Sequence, residues 1–188
     1  MKKQSTLLTT LFAALLLASS ADAKVLTTID EYFADSYESA SHIDQETLQI
    51  TNEVAQKAQE TLGFPLNPEF DTEIPSFLVY EGEAVVAYGL ETTVQGKWGG
   101  IHFLVMIHPE GVVDEVVVLD YSEVRGKPVG KKRFLRQFKK KSMAKKIRLG
   151  RDVKGITGAS ISSTGMVNGV NKLLYFFKVF YAAQVEAT

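Results

Sequence analysis

The sequence predicts an α+β fold in a single domain: an antiparallel meander with N-terminal helices before it and a long C-terminal helix after it. Three observations carry that prediction. From Ser76 to Leu119, four short runs rich in β-branched and aromatic residues follow one another, divided by the turn-like stretches Glu81-Gly82, Gln95 to Gly100 and Pro109-Glu-Gly111. Before them, Ile43, Leu48, Val54, Ala58 and Leu62 recur near helical spacing until Gly63-Phe-Pro65 stops the pattern. After them, Ile161 to Ala183 reads as one long, apolar-rich helix.

Met1-Lys2-Lys3 is a short positive start, Leu7 to Ala18 is an apolar run too short to span a membrane, and Ala21-Asp-Ala23 is a small-x-small cleavage signal. Residues 1–23 are therefore expected to be a signal peptide, and residues 24–188 a single periplasmic domain that does not span the membrane after cleavage. Ile29 to Leu62 is expected to be helical in two pieces. The strands are expected at Ser76–Tyr80, Ala84–Leu90, Ile101–Ile107 and Val112–Leu119, with a short amphipathic helix at Phe134 to Lys139. No internal repeat or low-complexity segment interrupts this order. With no Cys, the chain has no disulfide, no thiol nucleophile and no Cys through which a lipid anchor could attach.

Charge is nearly balanced overall and lopsided in detail. Lys24 to Glu91 holds 14 acids against two bases, whereas Arg125 to Lys154 holds 14 of the 21 Lys and Arg with only Asp152 opposing them. Export argues against nucleic acid as the partner of this basic run. It reads either as a solvated basic helix face or as a site for an anion or acidic partner. The C-terminal stretch Val170 to Tyr181 is more apolar than one buried stripe requires. Core packing accounts for it, and docking to a partner or a membrane surface is the sharper alternative. Lys172 and Lys178 argue against a span.

The segment Gly155-Ile-Thr-Gly-Ala-Ser-Ile-Ser-Ser-Thr164 sets four hydroxyls and two glycines at a helix start. Unpaired amides there, with the helix dipole, attract an anion, and Ser160 is expected at the N-cap. On the local pattern alone, a Ser-capped helix without ligand is the plainer reading. The phosphate loop of nucleoside triphosphate enzymes is missing, and no residue is assigned as catalytic. Trp98 stands among glycines and either stacks on a ligand ring or plugs the sheet edge. His102 and His108 lack a third ligand at useful spacing, so no metal is expected.

Ile156-Thr-Gly-Ala-Ser-Ile-Ser-Ser163 resembles the Ile-Thr-Gly-Ala-Thr-Ile-Thr-Ser signature of the bacterial FMN-binding domain family. That family is similar to the periplasmic domains of the C subunit of sodium-translocating NADH:quinone reductase and of the G subunit of the Rnf complex. Gly96-Lys-Trp-Gly-Gly100 resembles its Gly-aromatic-Gly-Gly turn, Glu123-Val-Arg-Gly126 its Glu-Thr-x-Gly, and Phe134-Leu-Arg-Gln-Phe138 its Phe-x-x-Gln-Phe, over about residues 80–175. The resemblance implies FMN held by Thr157, Gly158, Ala159, Ser160, Ser162 and Ser163, with Trp98, Gly99, Gly100, Glu123 and Gly126 near the ring. In the family the acceptor Thr carries FMN through a phosphoester bond made by a flavin transferase. Ser160 takes that place here, and Lys154 replaces the Asp that precedes the acceptor by six residues. A Lys beside the phosphate favours non-covalent FMN, so covalent and non-covalent binding both stay open.

The expected function is therefore an exported flavoprotein carrying electrons on FMN between a membrane redox complex and a periplasmic electron carrier. A flavin-free periplasmic binding or assembly module of the same fold is the alternative. A flavin reductase acting on a soluble substrate is weaker, because nothing resembles a nicotinamide site.

Overall fold

A computed structural model of the chain describes residues 24–121 and 129–182. The expected signal peptide lies outside the described residues. The architecture is α+β, and its centre is a six-stranded antiparallel sheet in the order β1-β6-β5-β4-β3-β2. Five consecutive strands form the meander: β2 (His42–Gln49), β3 (Glu73–Glu81), β4 (Ala84–Gln95), β5 (Gly100–Ile107) and β6 (Val113–Tyr121). The two-residue β1 (Lys24–Val25) adds to the far edge against Tyr121 and Asp120.

The N-terminal half departs from expectation. Two helices are present, α1 (Ile29–Ser36) and α2 (Asn52–Leu62), but the strand β2 lies between them where helix was expected. Both helices start on side-chain caps. Thr28 and Glu31 form a reciprocal capping box on α1, and the Thr51 hydroxyl accepts from the Val54 N–H at 3.3 Å on α2. The strand at β2 was hidden because Ile43 and Leu48 are five residues apart and so face opposite sides of the sheet. Ile43 packs with α1 and Leu48 with the main core. The period-2 signal needs two apolar residues on one face, and β2 offers one on each.

Each sheet face has its own core. On one side α4 (Ser160–Phe180) crosses β4 and β5, burying Met166, Val170, Leu173, Phe176 and Phe177 against Phe103, Val105 and Ile107. Gly169 makes this close approach possible: a Cβ there would stand 2.6 Å from the Phe103 ring and 2.7 Å from Val94. On the other side the smaller α1 lays Tyr32 and Phe33 on Phe77, Val79, Leu104 and Met106.

The basic run is not a helix face. Among its described residues only Lys132–Leu135 is helical (α3), and the following residues turn. Two of its lysines have structural partners. Lys139 pairs with Asp114 at 2.9 Å, and Lys146 donates to the Leu62 carbonyl at the end of α2, where a helix concentrates partial negative charge. Buried Asn171 ties the segment to α4 by accepting from the Ile147 N–H at 2.8 Å and donating to its carbonyl at 2.9 Å.

Candidate functional site

The start of α4 meets the β4–β5 turn, and the sequence accounts for the meeting. Gly158 adopts φ +81°, which reverses the chain just before the helix, and Ala159 becomes the N-cap. The expectation of Ser160 at the cap is corrected by one residue: Ser160 is the first helical residue, with an exposed side chain. Ala159 has no oxygen with which to cap, so no side chain caps the helix. An uncapped start leaves N–H groups without helical partners and the positive end of the dipole facing outward.

The other hydroxyls do different work. Ser163 is fully buried and accepts from the Ile156 N–H at 3.1 Å, closing the Gly-rich turn onto the helix. Buried Ser162 accepts from the Lys97 N–H at 3.5 Å, joining α4 to the β4–β5 turn. Thr157 and Gly158 are exposed, and Ala159 is buried. In that turn the Gly96 N–H donates to the Gly99 carbonyl at 2.8 Å, Gly100 opens β5, and Trp98 stays 56 % exposed with the Lys97 ammonium 5.0 Å from its ring centre. Of the remaining expected site residues, Glu123 and Gly126 lie outside the described residues.

Lys154 does not join Ser160. The Gln137 side chain clasps the Lys154 backbone, accepting from its N–H at 2.9 Å and donating to its carbonyl at 3.2 Å. The exposed Lys154 side chain instead lines a separate cleft of about 620 Å³ with Lys131, Arg133 and Phe134. The Gln of Phe134-Leu-Arg-Gln-Phe138 thus holds the glycine-rich turn in place.

A cavity of about 470 Å³ runs along α4 from Ser160 and Ile161 past Thr164 and Asn168 to Lys172. Thr93, Val94 and Gln95 of β4 form one wall, and Phe64, Pro65 and Phe70 of the loop after α2 form another. At the deep end sits a buried ion pair. The Lys172 ammonium donates to Asp71 and, at 2.9 Å, to the Thr92 hydroxyl, while the second Asp71 oxygen accepts from the Asn67 N–H at 2.7 Å. Burial pushes the Lys172 pKa down, and the Asp71 carboxylate opposes that shift. On the opposite face, His102 lies between Glu91 of β4 at 2.5 Å and Asp120 of β6 at 2.9 Å. The hydrogen bond to Glu91 raises its pKa, aided by Asp120 and against partial burial. Among the described residues no group of three His, Asp or Glu could hold a metal ion.

Residues 96–175 match the model of the family described as the FMN-binding domain. Over that stretch the chain is similar to the FMN-binding domain family. The match supports FMN as the cofactor. No curated protein matches the chain.

The matched region covers β5, β6, α3 and most of α4, while residues 24–95 lie outside it. The residues present fit the cofactor: an uncapped helix start suits a phosphate, and an adjoining cavity that offers Phe64, Phe70, Val94 and Ile161 for apolar contact and a charged pair at its deep end suits a heterocyclic ring. Asp71 and the Phe64–Phe70 wall come from outside the matched region, and Lys172 from within it. The sequence reading missed Asp71, Thr92 and Lys172 as a unit. The available signal was a Lys interrupting Val170 to Tyr181, read only as an argument against a membrane span. It also left His102 without partners, because Glu91 and Asp120 are 11 and 18 residues away and only strand register brings them together.

Proposed function

We propose that this chain is an exported flavoprotein that carries electrons on FMN between a membrane redox complex and a periplasmic carrier, with the FMN phosphate at the Gly155–Ser163 segment. The observation that supports this most is the start of α4, where Gly158 turns the chain, no side chain caps the helix, and Ser160 stands exposed beside the amides. FMN when bound supplies the one- and two-electron chemistry. The protein's residues do the holding. The amides of the first α4 turn receive the phosphate, the Ser163 and Gln137 hydrogen bonds keep the loop in shape, and Ser162 fixes the β4–β5 turn beside it. Trp98, exposed on that turn, is the single Trp of the sequence and reports on binding nearby.

Covalent attachment, where a flavin transferase is present, would fall on Ser160, since Ser162 and Ser163 are buried and committed to backbone N–H groups. The exposed basic residues Lys131, Arg133 and Lys154 would meet an acidic redox partner. The test is purification from periplasm with FMN in excess. Flavin absorbance together with a change in Trp98 fluorescence is the expected result, and absence of both would sink the reading. In protein made with an active transferase, flavin that survives denaturation should disappear in Ser160→Ala; flavin retained there would refute the attachment site.

A further inference from the structure

We infer that the cavity between α4 and the Phe64–Asp71 loop seats the isoalloxazine ring, with its carbonyl edge against the Lys172 ammonium. This rests on the proposal that the chain holds FMN with its phosphate at Ser160. One cavity touches both ends of the ligand: Ser160 lies at its mouth and Lys172 at its deep end, twelve residues along one helix. At about 1.5 Å per residue that is ~18 Å of helix axis, and a Lys side chain on a helix leans back toward the N-terminus, shortening the gap. A ribityl-linked phosphate and ring can cover such a span.

The lining suits that ring. Phe64, Phe70, Val94 and Ile161 offer apolar contact, and the charged groups of the lining, Asp71 and Lys172, sit together at one end. A flavin has this same asymmetry, a hydrocarbon edge opposite an edge of carbonyls and ring nitrogens. Lys172 has a donor to spare. An ammonium has three N–H bonds, and among the described residues Asp71 and Thr92 take two, leaving one for the cavity that Lys172 lines.

A buried ion pair is a poor stabiliser compared with apolar side chains of the same size, so its presence at the wall of a ligand-sized cavity calls for another role. A cation fixed by Asp71 would hydrogen-bond a flavin carbonyl and favour the added negative charge of the reduced ring. Trp98 is the competing seat, but it is over half exposed and does not line this cavity.

The experiment uses the full chain loaded with FMN. Thr164→Trp fills the cavity from an exposed helical position, and is expected to weaken FMN binding at least tenfold without moving the melting point. Lys172→Met with Asp71→Asn removes the N–H donor without leaving a lone buried charge. It is expected to lower the preference for reduced over oxidised flavin about tenfold, which for a two-electron couple is a potential lower by about 30 mV. Unchanged affinity and potential in these proteins, with Trp98→Ala instead dequenching the flavin, would overturn the proposal and put the ring on Trp98. Should the double variant not fold, Thr164→Trp decides alone by the same affinity criterion. Wild-type protein that takes up no FMN overturns the flavoprotein reading and this inference together, whereas flavin-loaded protein indifferent to the cavity overturns only the inference.

Discussion

The two faces of the sheet each carry a cation between oxygen acceptors, and the two behave oppositely. On the α4 face Lys172, with a side chain 4 % exposed, meets Asp71 and Thr92, and burial drives its pKa down. On the α1 face His102, 28 % exposed, meets Glu91 and Asp120, and its pKa rises chiefly through the Glu91 hydrogen bond. The pairing chemistry is similar. What differs is the dehydration of the ion, which exceeds the attraction of one carboxylate in the first site and falls short of two hydrogen-bonded carboxylates in the second. The same sheet therefore holds one cation that is costly to keep charged and one that is stabilised in the charged form.

Removing the counter-ion should break the buried site most severely. Asp71→Ala strands the Lys172 ammonium and also removes the acceptor for the Asn67 N–H, so a loss of about 3–5 kcal/mol is expected from chemical denaturation near neutral pH. The sign of the pH effect sharpens the comparison. In Asp71→Ala the folded state would hold Lys172 neutral while the unfolded chain binds the proton, so this variant should become more stable as pH rises toward the unfolded Lys value. A stability curve flat with pH would mean that water reaches the site. The Lys172→Met, Asp71→Asn double variant should recover most of the loss.

The helix that carries Lys172 should be the next most sensitive. Gly169→Ala places a methyl group against the Phe103 ring and Val94, an overpacking expected to cost about 1–3 kcal/mol by denaturant titration. A cost below about 0.5 kcal/mol would show that α4 can lift from β4 and β5 without penalty.

On the α1 face the effect should be smaller and opposite in pH dependence. A raised His102 pKa adds stability that is fully present below the unfolded value near 6.5 and is lost as pH rises through the higher folded value. His102→Gln should therefore lose about 1–2 kcal/mol relative to wild type near pH 6, a gap that narrows on raising the pH. Melting curves across that range check it, and a gap that widens with pH would reverse the assignment.

How legible these two sites were in the sequence follows from how each is made. The meander from β3 to β6 and the helix α4 stand on strong local patterns, and the glycine-hydroxyl segment announced a helix start to within one residue. The cap itself was misplaced because a Ser beside an Ala looks like the natural cap, while the chain reverses at Gly158 and commits Ala159 first. β2 escaped because its two apolar residues serve different faces. Asp71 and Lys172 are 101 residues apart, and nothing local marks an acid in a loop as the partner of a lysine in a helix. Long-range electrostatic pairs are set by topology, so sequence pattern exposes the Lys as an anomaly and leaves its partner unnamed.

A third pair completes the series at the exposed end. Lys139 and Asp114 meet at 2.9 Å with side chains 55 % and 31 % exposed, and the hydrogen bond that Lys139 donates to Asp114 raises the Lys139 pKa. Water solvates both partners whether or not they meet, and salt screens what attraction remains. Lys139→Ala should thus leave the melting point unchanged within error, at low and at high salt. Reversing Lys139, Lys140 and Lys141 to Glu should likewise spare the fold while slowing electron exchange with an acidic partner, because like charge across an encounter surface acts mainly on the association rate. A clear fall in melting point for Lys139→Ala would mean that exposure does not rank these three pairs. An unchanged exchange rate at low ionic strength for the triple variant would leave this part of the basic run as solvated surface, and move the search for the docking site to Lys131, Arg133 and Lys154.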